Sequence, residues 1–249
     1  MVIIKSLEEI DKMRRAGKVV AKVLSKIKEL IKPGVNTLEL DQWAEKWIRE
    51  EGATPAFKGY LGFKHTLCTS INEEVVHGIP STKRILKEGD IIGIDCGAII
   101  EGYYGDAAYS FPVGKVSEEA KKLLEVGEES LKRGISQMRS TKRLYDIGAA
   151  IQQYAESYGY SIVRDYVGHG VGTKLHEEPQ VPNYGEPNTG FRLKPGMVFA
   201  IEPMLNEGTH EVQLQGDGWT VITKDKKLSV HFEHTAVITD SDPEILTAF

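Results

Sequence analysis

The sequence is poor in cysteine and has no long apolar run. Only two of its 249 residues are cysteine, Cys68 and Cys96, too few for the disulfide scaffolds of small secreted proteins. Two isolated thiols are typical of the reducing cytosol, and the first residues show no signal-peptide pattern, so we expect a cytoplasmic protein. The apolar stretches are far shorter than the roughly 20 residues that cross a bilayer, which excludes a transmembrane protein.

Positive charge is also scarce. The chain has 31 basic and 36 acidic residues and a net charge of −5, so it lacks the basic footprint of a protein that recognises nucleic acid directly. Hydrophobic residues make up 41% and charged residues 27%, which is ordinary for a globular domain. Because no linker or low-complexity segment divides the chain, we expect residues 1–249 to form a single domain.

Helical and strand patterns alternate along the chain. Ser6-Leu7-Glu8-Glu9 has the form of a capping box, apolar residues follow at helical spacing to Leu30, and Pro33-Gly34 ends this first helix. The same reasoning predicts helices over 38–51, 117–138 and 144–158. Alternation and turn signals predict strands over 66–71, 90–99, 103–113, 163–167, 197–206, 218–223 and 229–239.

One segment has an echo further along the chain. Residues 87–95, ending in Asp95, resemble residues 194–202, ending in Glu202, at an offset of 107 residues. The match predicts two related halves about a pseudo-twofold axis, although chance similarity of two turn-then-strand segments remains the alternative. If the halves are related, two buried carboxylates meet at the axis and repel unless a cation lies between them.

Five side chains form a candidate metal centre. Asp95 and Asp106 lie on the two arms of the predicted hairpin, roughly opposite each other, where Cβ atoms of neighbouring strands are about 5 Å apart. His169 stands between two glycines, which leave room for its ring. The full set is Asp95, Asp106, His169, Glu202 and Glu233. Four carboxylates and one imidazole suit Mn²⁺, Fe²⁺, Co²⁺ or Zn²⁺ rather than a thiolate zinc site.

Four of these residues also have an ordinary explanation when each is taken alone. Asp95 could be a strand-end carboxylate, Asp106 a turn residue, and Glu233 half of a local ion pair with His234. His169 could be a histidine with satisfied hydrogen bonds. Only the combination of the five positions indicates a metal centre.

Seven ordered motifs then resemble the methionine aminopeptidases, within the larger family of pita-bread metallopeptidases. They cover essentially the whole chain. The motifs are VVHGIP (75–80), IDCGA (94–98), GYYGDAA (102–108), GHGVG (168–172), LHEEP (175–179), IEPM (201–204) and FEHT (232–235). The intervals of 33 and 31 residues separating His169, Glu202 and Glu233 leave no room for the helical insertion of type II enzymes. With no zinc-finger extension before the first helix, the chain resembles the short type I form.

The resemblance implies both a fold and an activity. The fold is α/β (α+β), a pita-bread arrangement of two pseudo-symmetric halves with a curved antiparallel sheet and outer helices. The activity is removal of the initiator methionine from nascent proteins whose second residue is small, by a metal-bound hydroxide that attacks the first peptide bond. A monomer that meets nascent chains transiently at the ribosome is implied as well.

Roles for individual residues follow from the same resemblance. Asp106 and Glu233 would bridge two divalent ions, Asp95 would hold one of them, and His169 and Glu202 would hold the other. Glu202 would also act as the general base. Two further histidines, His77 and His176, would contact the substrate and stabilise the tetrahedral intermediate.

A methionine pocket is implied too, lined by Tyr60, Phe63, Cys68, Leu175 and Trp219. The chain departs from many relatives at Leu61 and Leu175, where they often carry His and Phe. Leu175 keeps the pocket apolar, whereas Leu61 removes a polar group from its rim. Backbone oxygens of residues 72–75 and 229 are implied to hold a monovalent cation.

Three other functions compete with this interpretation. An aminopeptidase P or prolidase shares the fold and cleaves before proline, but usually carries a large N-terminal domain. A non-enzymatic binding protein of the proliferation-associated type shares the scaffold but loses metal ligands, whereas all five positions are filled here. The third is an acidic structural protein without catalysis.

Overall fold

A computed structural model describes residues 2–249. Four α-helices, α1 to α4, span Leu7–Leu30, Thr37–Glu50, Glu118–Ser136 and Leu144–Ser157, and a 3-10 helix spans Tyr60–Gly62. The strands β1 to β15 are Thr54–Pro55, Leu67–Ile71, Glu74–Val76, Ile91–Ile100, Tyr103–Pro112, Ser161–Ile162, Gly168–Gly170, Glu177–Val181, Val198–Ile201, Met204–Asn206, Val212–Leu214, Val221–Thr223, Ser229–His231, His234–Val237 and Glu244–Ile245. None of the helices within 2–249 has the length and apolarity needed to cross a bilayer.

The predicted start of α1 is confirmed. The Ser6 hydroxyl accepts a hydrogen bond from the backbone N–H of Glu9, and the Glu9 carboxylate accepts one from the N–H of Ser6. This capping box satisfies two of the amides that a helix start leaves free. The apolar face of α1 is buried against β4 and β5.

A long hairpin forms the centre of the first half. Strands β4 and β5 pair along their full length around Glu101 and Gly102, whose φ angles are 48° and 81°. Two-residue hairpin turns with positive φ at both positions match the twist of paired strands. Strands β1 and β2 pair with β4, completing a four-stranded sheet.

The second half is built around a five-stranded sheet in the order β15-β14-β9-β7-β8. The chain passes from this sheet into a three-stranded sheet, β13-β10-β6, and a second three-stranded sheet, β11-β12-β3, includes β3 of the first half. Helices α3 and α4 pack against each other, and α3 also contacts strands of both halves. All the pairings are antiparallel.

The internal echo is reproduced in three dimensions. Helices α2 and α4 begin and end at positions related by the 107-residue offset. The isolated bridge of Asn36 with Ile85 has its counterpart, at the same offset, in the bridge of Arg143 with Arg192. Chance similarity of two short segments does not explain matching helices and matching bridges, so the halves are related by pseudo-symmetry.

Two of the predicted strands are broken where a candidate ligand lies. The predicted strand 197–206 divides at Glu202-Pro203 into β9 and β10, because Pro203 has no N–H to continue the ladder. The strand predicted over 229–239 divides at Phe232-Glu233 into β13 and β14. At both breaks the chain passes from one sheet to the next.

The strand predicted over 163–167 is wrong. Strand β6 contains only Ser161–Ile162, which pair with β10. Val163 adds one backbone hydrogen bond to Met204, and the chain then leaves the sheet. Strands β7 and β8 were not expected, because their glycine-rich and proline-containing segments lack strand alternation. They pair with a register shift between His169 and Gly170.

Candidate metal centre

The central hairpin carries the first two carboxylates. Asp95 lies opposite Ala108, and Asp106 lies opposite Gly97. Asp95 and Asp106 are thus roughly opposite each other, as expected, and are offset by two residues along the paired strands. The two carboxylates are diagonal neighbours on the same face of the hairpin, a separation that their side chains can span.

The second half supplies the other three groups. Glu202 follows β9, Glu233 lies between β13 and β14, and His169 lies in β7. Nδ1 of His169 lies 3.0 Å from the carbonyl oxygen of Gly170, which can only accept, so Nδ1 carries the proton. Nε2 therefore presents its lone pair to Glu202 Oε1 at 3.4 Å and Asp106 Oδ2 at 4.0 Å. A carbonyl that fixes the tautomer in this way is typical of metal-binding histidines.

Two groups of donor atoms share Glu233. One is Asp106, His169 and Glu233, and the other is Asp95, His231 and Glu233; the donor atoms of each lie within 4.8 Å of one another. Several buried atoms of these side chains have no hydrogen-bonding partner within residues 2–249: Asp95 Oδ1, Asp106 Oδ1, His231 Nε2 and Glu233 Oε1. Buried oxygens without partners that converge on one point fit a cation.

The electrostatics lead to the same conclusion. Burial raises the pKa of Asp95, Glu202 and Glu233 well above the ordinary range, and repulsion by neighbouring carboxylates raises each further. Burial also raises the pKa of Asp106 to about 7. Such a cluster disfavours its own ionised form unless divalent cations offset the charge. The oxygen-rich set with one fixed imidazole therefore fits divalent metal ions.

Four imidazoles surround the carboxylates. Burial lowers the pKa of His169 and His231 to about 3 and that of His77 to about 4. Burial also lowers the pKa of His176. All four rings are therefore neutral near pH 7, so each has both a donor and an acceptor nitrogen.

The predicted site residues converge on one cavity of about 190 Å³. This is somewhat larger than the roughly 150 Å³ apolar cavity that accommodates benzene in an engineered protein. From the sequence we expected twelve of its lining residues: Tyr60, Phe63, Cys68, His77, Asp95, Asp106, His169, Leu175, His176, Glu202, Trp219 and Glu233. The cavity thus joins a carboxylate-rich end to an apolar end.

The apolar end contains closely packed rings. The ring centroids of Phe63 and Trp219 are 5.0 Å apart, and Leu175 and Cys68 are buried in the same cluster. Burial raises the pKa of the Cys68 thiol well above its ordinary value, so it is a neutral apolar group. Leu61 lies at the rim with 80% of its surface exposed.

Five residues of the lining were not predicted from the sequence: Phe57, Val76, Tyr166, Val167 and His231. The signal for His231 was present in the strand pattern. It stands two residues before Glu233, so alternation along the strand predicts that both point to one face. The others are apolar or aromatic residues of a type common throughout the core, and their spacing carries no signal.

Comparison with known proteins agrees with this geometry. The model of metallopeptidase family M24 matches residues 11–240. A methionine aminopeptidase of Clostridium acetobutylicum is 54% identical over 247 residues, covering 99% of each chain. The crystal structure of a methionine aminopeptidase from Thermotoga maritima is 46% identical with a TM-score of 0.98, covering 100% of both chains.

The proline-specific enzymes are more distant. A prolidase from Pyrococcus furiosus is 27% identical with a TM-score of 0.77, and the chain spans 66% of its length. The similarity to the methionine enzymes extends over whole chains, whereas the prolidase has a further third that this chain does not match. The chain belongs to the methionine aminopeptidases of metallopeptidase family M24.

Proposed function

We propose that this metallo-aminopeptidase removes the initiator methionine from new proteins whose second residue is small. The observation that carries the proposal is the cavity that places buried carboxylates and neutral imidazoles at one end and an apolar pocket at the other. Hydrolysis of a terminal peptide bond needs both parts, because the side chain must be held while the carbonyl is attacked.

We propose that the centre holds two divalent ions, Co²⁺, Mn²⁺, Fe²⁺ or Zn²⁺. The two donor groups that share Glu233 support this number. Asp106 and Glu233 would lie between the ions, with Asp95 on one side and His169 and Glu202 on the other. Such ions polarise a carbonyl and lower the pKa of bound water.

Glu202 is the proposed general base. One of its oxygens faces His169 at 3.4 Å, and the other faces His231 at 3.7 Å. Because burial raises the pKa of Glu202 well above its ordinary value, the side chain holds a proton more readily than an exposed carboxylate does. It is therefore suited to take a proton from the attacking water and pass it to the leaving amine.

His176 is the proposed donor to the carbonyl oxygen of the scissile bond. Its Nδ1 lies 2.8 Å from the hydroxyl of Tyr60. If that hydroxyl donates to Nδ1, the ring carries its proton on Nε2 and can donate it to the developing oxyanion. His77 also lines the cavity as a neutral ring, packed edge-on against Tyr166, and we propose that it holds the substrate amide.

The apolar end suits methionine. A thioether makes favourable contacts with aromatic rings, and Phe63 and Trp219 present such rings beside Leu175 and Cys68. Tyr60 completes the proposed pocket. An unbranched side chain can enter such a narrow space, whereas charged side chains would lose their hydration there.

The proposal is tested with peptides and titrated metal. The metal-free protein should be inactive on Met-Ala-Ser and should gain activity as Mn²⁺ or Co²⁺ is added, while Ala-Pro-Ser stays intact. Met-Leu-Ser should be cleaved much more slowly than Met-Ala-Ser. Faster cleavage of Ala-Pro-Ser would instead support a prolidase or aminopeptidase P, and inactivity with every candidate ion would support a binding protein.

The ligand assignment needs single substitutions. Asp106→Ala and His169→Ala should each abolish turnover and weaken metal binding measured by calorimetry. His210→Ala is the matched control, because His210 is exposed and lies outside the cavity. Robust activity of either ligand variant in a metal-replete sample would refute the assignment.

The setting of the enzyme is part of the same proposal. We propose a cytoplasmic, single-domain monomer over residues 1–249 that acts on nascent chains during transient contact with ribosomes, which co-sedimentation would test. A monovalent cation held by backbone oxygens of residues 72–75 and 229 is also proposed. The hydrogen bond from Ser229 to the carbonyl of Asn72 holds these two segments together, and activity measured in K⁺, Na⁺ and choline salts tests for the cation.

A further inference from the structure

His231 lies against the metal centre without a defined partner. Its side chain is buried, and within 2–249 its Nε2 atom has no hydrogen-bonding partner. Nε2 lies 3.7 Å from Glu202 Oε2 and 3.8 Å from Glu233 Oε2, both too long for hydrogen bonds. The nitrogen is therefore aimed at two carboxylates but bonded to neither.

These separations match those around a bound ion. Tetrahedral zinc sites have bonds of about 2.0–2.2 Å to nitrogen and oxygen, which places neighbouring donors roughly 3.4 Å apart. The distance between His169 Nε2 and Glu202 Oε1 is 3.4 Å, and those around His231 are only slightly longer. The spacing at His231 thus resembles that at the proposed ligand His169.

A local twofold axis between the two halves makes His231 the counterpart of Asp106. The N–H of Ala108 donates to the carbonyl of Glu233, and the N–H of Glu233 donates to the carbonyl of Ala108. This reciprocal pair lies where the two halves meet, and it relates positions that differ by 125 residues. The same offset relates Asp106 to His231. It is larger than the 107 residues of the sequence echo because 29 residues separate Glu202 from His231, whereas 11 separate Asp95 from Asp106.

The surroundings of the two residues obey the same symmetry. The hydroxyl of Thr235 accepts from the N–H of Asp106 at 3.1 Å and donates to its carbonyl at 2.7 Å. The hydroxyl of Ser110 accepts from the N–H of His231 at 3.0 Å and donates to its carbonyl at 3.0 Å. Ser110 and Thr235 also differ by 125 positions. Each backbone is thus fixed by a hydroxyl from the other half, which directs the side chain into the shared cavity.

We propose that His231 is a ligand of the metal centre and supplies a nitrogen to the ion held by Asp95 and Glu233. Each of the two ions then has one imidazole donor, His169 on one and His231 on the other. The proposal rests on the dinuclear centre proposed above and adds a residue to it. It also alters the chemistry of that ion, whose other protein donors are all carboxylates.

Magnetic resonance of the Co²⁺-loaded protein counts the bound imidazoles directly. With two equivalents of Co²⁺, the wild-type protein should show two histidine rings with the large contact shifts that only directly coordinated imidazoles have, beyond the through-space shifts of His77 and His176. His169→Gln and His231→Gln should each remove one of them, whereas His210→Gln, which changes an exposed ring, should remove none. A single contact-shifted ring in the wild type would overturn the proposal.

Calorimetry provides a second measurement that does not depend on turnover. Even residues that only orient ligands change metal affinity by about 10- to 100-fold. We therefore expect His231→Gln to weaken the binding of one Mn²⁺ equivalent by about 100-fold or more. The affinity for the other equivalent should be nearly unchanged. Unchanged affinity for both equivalents would overturn the proposal.

The two proposals fail in different ways. If wild-type protein binds two ions and cleaves Met-Ala-Ser but shows one contact-shifted ring, only the role of His231 is refuted. If it binds no divalent ion and cleaves nothing, the proposed function fails, and the role of His231 fails with it.

Discussion

Lys5 forms a buried ion pair close to the active-site cavity. Its Nζ lies 2.5 Å from Glu177 Oε2, and the two side chains are 3% and 7% exposed. Lys5 is also tied to Gly196 through its backbone N–H. Because Glu177 follows His176 directly, the pair fastens the N-terminal segment to the loop that carries a proposed catalytic residue.

Replacing Lys5 by methionine keeps most of the side-chain volume but leaves Glu177 without its cation. Breaking one side of a buried ion pair usually costs about 3–5 kcal/mol. The other oxygen of Glu177 still accepts from the backbone N–H groups of Thr173 and Lys174 at 2.8 and 3.3 Å. We therefore expect the free energy of unfolding to fall by about 3 kcal/mol, the lower end of that range. This corresponds to a fall in Tm of roughly 6–12 °C in a protein of this size.

Urea denaturation measures this loss, with Lys12→Met as the control. Lys12 pairs with Glu8 at 2.8 Å, but the Glu8 side chain is 80% exposed, so the control should lose less than about 0.5 kcal/mol. The double variant Lys5→Met/Glu177→Gln removes both charges and should recover about 2 kcal/mol relative to Lys5→Met. A loss below about 1 kcal/mol in Lys5→Met would refute the reasoning, since the buried carboxylate would then not need its partner.

Three further substitutions test other contacts. Gly105→Ala would place a Cβ 2.6 Å from the backbone nitrogen of Gly17 in α1. We expect urea denaturation to show that the free energy of unfolding falls by about 1–3 kcal/mol. Because the clash displaces the neighbouring Asp106, calorimetry should also show weaker metal binding. Tyr60→Phe removes the hydroxyl that orients His176, and kcat should fall about 2- to 12-fold, the equivalent of one hydrogen bond; an unchanged kcat would contradict the proposed tautomer. His77 has a folded pKa of about 4 against about 6.5 in unfolded chains, so its contribution to stability is complete above pH 6.5 and is lost as pH falls towards 4. When the pH falls from 7.5 to 5, the free energy of unfolding of the metal-free wild type should decrease by about 2 kcal/mol more than that of His77→Asn. Asparagine is chosen because it tolerates the φ of 61° at this position. Equal decreases in the two proteins would contradict the lowered pKa of His77.

Local sequence signals predicted the helices and the central hairpin. The capping box at Ser6, the end of α2 near Gly52, whose φ is 72°, and the Glu101-Gly102 turn are each determined by a few neighbouring residues. Their conformations follow from hydrogen-bonding and φ preferences that tertiary contacts do not override here. The ends of all four helices were accordingly predicted to within about two residues.

The breaks in the later strands could not be predicted from periodicity. The apolar pattern of 229–239 continues through Phe232 and Glu233, yet the chain changes sheets there. Which sheet a strand joins depends on partners far away in the sequence, and alternation records only that one face is buried.

The candidate site was predictable because its residues are chemically unusual. Carboxylates within apolar strands stand out from their surroundings, so the five proposed ligands were found from residue type and spacing. His231 was missed because it lies beside another histidine-containing motif and its meaning depends on a symmetry of backbone contacts. The hydroxyl of Ser110, contributed by the other half of the chain, holds the backbone of His231 in the orientation that directs its ring into the cavity.

The location of the centre also explains how the two halves can stay packed together although both contribute carboxylates to their interface. Asp95 and Asp106 come from one half, and His169, Glu202 and Glu233 come from the other. Ionised carboxylates from both halves repel across the interface that the Ala108–Glu233 hydrogen bonds close, and burial raises their pKa values accordingly. Divalent ions that bind these groups replace repulsion with ligation of both halves, so the ions proposed to activate the substrate would also join the halves at the axis.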